Sequence, residues 1–548
     1  MSSSPASKHV QNKPVQNPPG SAADRLHSPA ALLAARDRTA AFLTRLASAL
    51  EARPLLCFLL LTLFIAIGLL DRSLSRPLWH DELFTFYIAQ APTLPELLRD
   101  TRIIDLNPPL SYLLTRASFA LFGINDLTCR LPEMAGFLLA LLSLFLFVRR
   151  RAGTLYGLLA ALLFFTGSAG TLAAEARPYG LLLGFAALSL LAWQKARDHD
   201  RLALPLLCLG GFGMLLSHVF GLILWGLFAA VEFVKVLRRG SIEWRLVAAW
   251  LLPLICTVTY IPILRTHGHM IFPAAYQPGL HTAFDFYDTW LEREARILLL
   301  TGLILALLFG RRTLQKSSPS AFTQTDWLTA LFLFAFPVVI LVQFIRSHAA
   351  FFPRYGAAGN LGLCLLTVML LAWWTARDTR AALLCLALVL WSSGQLPPTL
   401  KALRRHRIFT SAAPTPEFCE PCALSARIDP SVPFVDASGL TFLEMDHRED
   451  DAMDRRLFYL TDPTASTQYA HTNIFESMAL EKSLFPIRAN VSTYASFTRA
   501  HHRFFVFGRY DYPEDWLLRK LLADGASLRL VAETTSSYRD KDLYLVTL

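Results

Sequence analysis

The sequence predicts an α-helical polytopic membrane protein of about eleven transmembrane helices, carrying a small α/β domain outside the membrane. Three observations predict it. Only 17% of the 548 residues are charged and 54% are hydrophobic, against about 25% charge in a soluble chain. Apolar runs about as long as a bilayer is thick recur between residues 54 and 394. From residue 396 the character changes, with more charge and short β-rich runs alternating with helical ones.

Residues 1–30 are rich in Ser, Pro, Asn, Gln and Ala and are expected to form a disordered cytoplasmic tail. Residues 31–53 read as a helix carrying Arg36, Arg38, Arg45 and Arg53. No small-residue cleavage site follows the first apolar run, so that run is expected to be an uncleaved anchor. The apolar runs lie at 54–70, 131–148, 154–174, 178–194, 202–217, 219–236, 246–264, 294–310, 326–345, 355–375 and 380–394, eleven in all. Basic clusters at Arg36–Arg53, Arg149–Arg151, Lys195–Arg201, Lys235–Arg245, Arg311–Lys316 and Arg377–Arg380 all fall on one side if the N-terminus is cytoplasmic. The net charge of +10 therefore orients the chain, and nucleic acid is not an expected partner. This topology makes Pro108–Gly123 an amphipathic helix on the outer surface rather than a span, since a span there would send every later basic loop outward.

The chain thus divides into the tail 1–30, a transmembrane domain 31–395 whose first outer loop is 71–130, and an extracytoplasmic α/β domain 396–548. In that last domain Pro433–Ser438, Arg456–Thr461, His502–Gly508, Leu528–Thr534 and Asp542–Leu548 read as strands. Phe475–Phe485, Tyr494–Ala500 and Pro513–Ala523 read as helices. The domain contains no G-x-G-x-x-G and is expected to serve structure or substrate gating, so that a chain ending at Gln395 would keep some activity. Five cysteines (Cys57, Cys208, Cys256, Cys364, Cys385) sit in apolar runs as small packing residues. Cys419 and Cys422 read as a disulfide rather than half a zinc site, because no second ligand pair follows at suitable spacing.

With this topology, acids, histidines and arginines gather on the outer face. The first outer loop supplies His80, Asp81, Glu82, Asp105 and Asn107. Glu175, Arg177 and Tyr179 lie where two apolar runs meet, and His218, His267, His269, Asp285 and Asp288 follow. Arg346, His348, Arg354 and Tyr355 complete the set. The inner loops hold no comparable mixture. Singly, each has a plain structural role: Asp81 as cap of a helix over Asp81–Gln90, Asn107-Pro-Pro as a turn, Arg177 and Arg354 reaching for lipid headgroups. Their convergence on one face is what points to chemistry.

The ordered motifs W-H-D-E-L-F, D-L-N-P-P-L-S-Y-L-L, L-F-G-I-N-D-L-T-C-R-L-P, E-A-R-P-Y-G-L and F-P-R-Y resemble bacterial membrane glycosyltransferases of the GT-C fold, in particular the family 39/83-like relatives of protein O-mannosyltransferases and aminoarabinose transferases. The resemblance is strong over about 54–200 and recurs at 351–360. It implies a polyprenyl-phosphate-linked sugar donor, a lipid, glycan or protein acceptor reached from the outer face of a bacterial inner membrane, and inversion at the anomeric carbon. Asp81 matches the catalytic acid position, with Glu82 beside it. A carboxylate there can take the acceptor's proton, while Arg177 and Arg354 can hold the leaving phosphate. Asp105, Asn107, Glu175, Tyr179 and Tyr355 are the expected supporting or substrate-binding residues. The aminoarabinose branch carries Glu-Lys before the Pro-Pro pair; here Leu106 and Asn107 stand there. That argues against aminoarabinose transfer to lipid A and leaves a divalent metal open. A transporter or a non-catalytic scaffold are the other function classes, though neither internal repeats nor helix breaks at midplane accompany the charges.

Overall fold

The computed structural model describes residues 29–198, 200–240, 242–267, 271, 276–279, 281–287, 301, 322–347, 349–393, 428–512, 514–533 and 541–548. Most of the tail, the apolar run at 294–310 (apart from Thr301), Cys419 and Cys422 lie outside the described residues, as do His269, Asp288, His348 and Pro513. Every other apolar run carries helix. The order is α1 (Pro29–Glu51), α2 (Pro54–Ser75), α3 (His80–Ala89), α4 (Leu94–Asp100), α5 (Leu110–Phe122), α6 (Asp126–Ala152), α7 (Thr154–Thr166), α8 (Tyr179–Arg197), α9 (Ala203–Ser217) and α10 (Gly221–Arg239). Then come α11 (Trp244–Leu251), running through a 3₁₀ stretch into α12 (Tyr260–His267), followed by α13 (Gln324–Ser347), α14 (Gly359–Trp374) and α15 (Thr379–Ser392).

Among the described residues five helical stretches are long and apolar enough to cross a bilayer: Pro54–Ser75, Asp126–Ala152, Tyr179–Arg197, Trp244–Arg265 and Gln324–Ser347. The protein is thus an integral membrane protein. Shorter apolar helices fill several places where full spans were expected. α7 stops at Gly167, well short of residue 174, and α14 begins only at Gly359, after a 3₁₀ turn over Pro353–Gly356. A four-residue helical turn (Ala169–Leu172) and a bend up to Pro178 follow α7, and Arg177 lies in that bend, while Arg354 lies in the 3₁₀ turn before α14. Non-helical backbone of this kind is tolerated where it is buried in protein or lines a polar cavity.

Local chemistry explains the long helices. Pro54 opens α2 at a position that needs no amide donor. Asn125 caps α6 by accepting the Thr128 amide at 2.9 Å, and Arg149, Arg150 and Arg151 close it. α6 and α8 approach at their backbones: a Cβ on Gly180 would lie 2.2 Å from the Glu133 carbonyl oxygen, and one on Gly184 2.2 Å from that of Gly136. Small residues are what allow such contact between membrane helices. At the other end of the bundle Arg197 and Arg151 both reach Asp326 of α13, at 2.6 and 3.5 Å.

The C-terminal part holds a six-stranded sheet of order β3-β2-β1-β4-β6-β5, with β1 (Phe434–Asp436), β2 (Leu457–Thr461), β3 (Asn490–Thr493), β4 (Arg503–Gly508), β5 (Ser527–Glu533) and β6 (Asp542–Thr547). The first four are parallel, and β6 pairs antiparallel with both β4 and β5. All the expected strands are present, with ends shifted by a residue or two. β3 was not expected, because Asn490-Val-Ser-Thr holds one apolar residue and no alternation; as an edge strand it has only one neighbour to satisfy. The helix expected at Phe475–Phe485 is shorter, Met478–Leu484, as is that at Pro513–Ala523, now Leu517–Ala523. Helix α16 (Gly439–Arg448) was likewise unforeseen.

This sheet does not stand apart from the loop at residues 71–130. Leu83, Tyr87 and Ile88 of α3 share one apolar core with Tyr112 of α5 and with Phe434, Phe442, Leu443 and Phe485. Removing the chain after Gln395 would expose that face of α3. The loop at residues 71–130 and the sheet thus share their packing.

Candidate active site

The site grows from the joint between α2 and α3. The chain leaves α2 at Ser75, runs extended through Arg76–Trp79 and enters α3 at His80. Consecutive residues of a helix lie about 100° apart around its axis, so Asp81 and Glu82 face different surroundings.

Glu82 is fully buried and wholly engaged. Arg130 of α6 grips it in a fork, Nε to Oε1 and Nη2 to Oε2, both at 2.7 Å. The Ala176 amide donates to Oε1 at 2.7 Å, and the Trp79 amide to Oε2 at 3.2 Å. Arg130 also donates to the carbonyl oxygens of Ser73, Arg76 and Pro77. One ion pair thus ties the end of α2, the start of α3, α6 and the turn before α8. Glu82, expected beside Asp81 in the catalytic pair, is placed as a fastening. Arg130 was passed over in the sequence. Its signal was present, since an arginine entering an apolar run demands a buried partner.

Asp81 turns the other way. Its Oδ1 lies 2.6 Å from His80 Nε2, and its Oδ2 lies 3.0 Å from Arg354 Nη2 and 4.0 Å from Arg177 Nε. Burial alone would raise its pKa, but His80, Arg354 and Arg177 together outweigh burial and hold the carboxyl below its ordinary value. Arg177 donates through Nη1 to the Asp81 carbonyl oxygen at 3.0 Å and to Asp105 Oδ2 at 2.5 Å. Asp105 also accepts the Tyr112 hydroxyl at 2.6 Å. Asn107 donates to the Asp105 carbonyl at 3.0 Å, shaping a turn in which Leu106 takes the left-handed conformation at φ 54°. Asn107 therefore serves the turn rather than facing outward as a ligand.

Arg354 reaches the site from the 3₁₀ turn, its guanidinium against the rings of Phe352 (4.5 Å), Trp79 (5.4 Å) and Tyr355 (5.8 Å). Tyr355 and Tyr179 join one small apolar cluster with Leu172 and Ala357. Tyr179 packs on the His218 ring at 5.1 Å. Burial and the two arginines push His218 down to about 3, leaving it neutral. Its Nδ1 accepts the Phe220 amide at 3.1 Å, which assigns the proton to Nε2. Glu175 sits 3.5 Å from Arg76, its carboxyl raised by burial. Beneath the site Glu133 of α6 accepts the Ser111 hydroxyl at 2.6 Å and the Leu181 amide at 2.9 Å, pinning α5 to the start of α8. Among the described residues no three His, Cys, Asp or Glu side chains gather as a set able to hold a metal ion.

Asp81, Asp105, Arg177, Arg354, Tyr179 and Tyr355, scattered over residues 81–355, thus converge, with Glu175 and Asn107 at the margin. The arrangement is a carboxylate flanked by two guanidinium groups. It can accept a proton on one side and bind a phosphate-like anion on the other.

Residues 106–265 match the family described as dolichyl-phosphate-mannose-protein mannosyltransferase. The structure superimposes on ArnT from Cupriavidus metallidurans in the apo state with TM-score 0.53 and 14% identity, covering 89% of this chain and 97% of that one. With ArnT bound to undecaprenyl phosphate the values are 0.50 and 15%, over the same shares. The protein has the GT-C fold. No curated protein sequence matches the chain. The family match takes in Asn107, Arg130, Glu133, Glu175, Arg177 and Tyr179. Within this GT-C fold Asp81 and Arg354 come from outside the matched stretch, on either side of it.

Proposed function

We propose that the protein transfers a sugar from a polyprenyl-phosphate donor to an acceptor hydroxyl on the outer face of a bacterial inner membrane, with inversion. The observation that carries this reading is the Asp81 carboxylate set between Arg354 and Arg177. The ArnT structure with undecaprenyl phosphate supports the donor class.

Asp81 is the general base. As the acceptor oxygen attacks the anomeric carbon, its proton passes to Asp81. The bond from that carbon to the phosphate oxygen breaks, and the electron pair leaves with the polyprenyl phosphate. Arg354 and Arg177 stabilise the charge that gathers on the departing phosphate. A single displacement inverts the centre.

The arginines link the two halves of the reaction. In the present geometry they lower the Asp81 pKa, and a carboxyl held so low is a weak base. A donor phosphate against the same guanidinium groups offsets their charge and lets the Asp81 pKa rise. The base thus strengthens when donor is bound. Glu82 and Arg130 hold the loop in place, Asp105 and Tyr112 fix Arg177, and Tyr355, clustered with Tyr179, packs against Arg354. Leu106 and Asn107, standing where the aminoarabinose branch has Glu-Lys, favour a donor sugar other than aminoarabinose.

The test is purified protein in lipid nanodiscs with a panel of undecaprenyl-phosphate-linked hexoses and pentoses, following release of free undecaprenyl phosphate. One donor should be consumed by the native protein and not by Asp81→Asn. Release that is equal in both would refute the assignment.

A further inference from the structure

Helix α16 belongs to the C-terminal sheet, yet it ends on the first outer loop. Glu444, almost fully buried, accepts the His80 amide at 2.9 Å across 364 residues of sequence. Arg448, one turn later, donates to the Leu78 carbonyl oxygen at 3.0 Å and lies 3.5 Å from Glu444. The Leu78 amide in turn donates to Asp126 at 3.3 Å, and Asp126 lies 3.6 Å from His447 Nε2. The His447 ring also packs against Phe86 at 4.9 Å. Backbone groups on both sides of Trp79 are thus held by a single face of α16.

The physics of helix ends gives these contacts a purpose. The first amides of a helix have no partner within it, and a carboxylate placed there gains from the helix dipole and from a charge-assisted bond. α3 carries Asp81 in its first turn, and Trp79, the residue before it, lies against Arg354. Fixing the start of α3 therefore fixes Asp81 relative to both arginines and to His80.

We propose that Glu444 and Arg448 are positioning residues of the transferase site: the extracytoplasmic domain completes that site by capping α3 from outside the membrane domain. The inference rests on the transferase reading. It gives the sheet a role in turnover while leaving the chemistry with Asp81.

The experiment uses the full chain in nanodiscs and two readouts. One is kcat and donor KM for the donor the native protein consumes; the other is hydrogen exchange of peptides spanning residues 78–89. Glu444→Ala should speed exchange at the start of α3 on the order of tenfold. It should lower kcat about ten- to a hundredfold with donor KM little changed, the scale expected when a reacting group is misplaced by a fraction of an ångström to 1 Å. Glu444→Gln keeps an oxygen acceptor for the His80 amide and should recover most of both. Native exchange and native kcat in Glu444→Ala would overturn the proposal. So would faster exchange with unchanged kcat, or a Gln variant as impaired as Ala. Where Glu444→Ala fails to fold, Arg448→Met removes the Leu78 contact while sparing the His80 cap, and it is read by the same measurements. If the native protein moves no sugar from any donor, the transferase reading fails by itself, and exchange still reports whether α16 caps α3.

Discussion

Replacing Asp81 with Asn removes one negative charge and changes almost nothing in size. In the structure that charge lies 3.0 Å from Arg354 and 4.0 Å from Arg177, with His80 at 2.6 Å on the other oxygen. The amide oxygen can still accept from His80 or an arginine. Arg177 also keeps Asp105 and the Asp81 carbonyl, so the fold is expected to survive. Two consequences then separate. As the base, Asp81 is worth about 10²–10⁴ in turnover, equivalent to about 2.7–5.5 kcal/mol of barrier. As a neighbour of the phosphate site it competes with donor for the arginines, so its neutralisation should leave donor KM unchanged or lower. Steady-state release of undecaprenyl phosphate at varied donor measures both. A large drop in kcat without a rise in KM is the expected result. A variant with kcat within a few-fold of native and only a tighter donor KM would make Asp81 a counterion, and the general-base argument would be wrong.

Arg354→Lys keeps the charge but loses the planar fork and its contact with three rings. Donor KM should rise about tenfold while acceptor KM stays close to native, checked by varying each substrate in turn. Glu82→Gln leaves Arg130, fully buried, with no countercharge in its fork; removing one partner of a buried pair costs about 3–5 kcal/mol. The loss should appear as a lower thermal midpoint in detergent, with a smaller fall in turnover than in Asp81→Asn. The pH profile should follow the depressed Asp81 carboxyl. Its ionised form is the competent one, so donor-limited kcat/KM should hold as pH falls toward about 4, the ordinary carboxylate value, and fail only below it. The stability that this ion cluster contributes is likewise present above that value and lost as pH falls through the folded-state pKa. In Arg354→Ala the acid limb should move to higher pH, which a rate measurement between pH 3.5 and 6 would detect.

Much of this protein is written locally. A bilayer-length apolar run has one solution for its backbone groups, so the sequence predicted helix in every such run that the structure describes. The strands of the C-terminal part carried apolar residues between turn signals and were read from them, whereas β3 and α16 lacked that signature and appeared only in the fold. Asp81, Arg177 and Arg354 stood out because ionisable groups at span ends are costly without a purpose. What they do to one another depended on distances no sequence contains. Asp81 and Glu82 are neighbours of the same charge, and only the turn of α3 sends one to Arg130 and the other to the two arginines. Where α7 ends and α14 begins was not legible either, and these ends place Arg177 in a bend and Arg354 in a 3₁₀ turn. Glu444 meets His80 across 364 residues, and nothing in either neighbourhood announces the other. Periodicity and end signals act over a few residues and are legible in order. A buried ion pair or a cap in trans is decided by which surfaces the packed helices bring together, and that belongs to the tertiary structure alone.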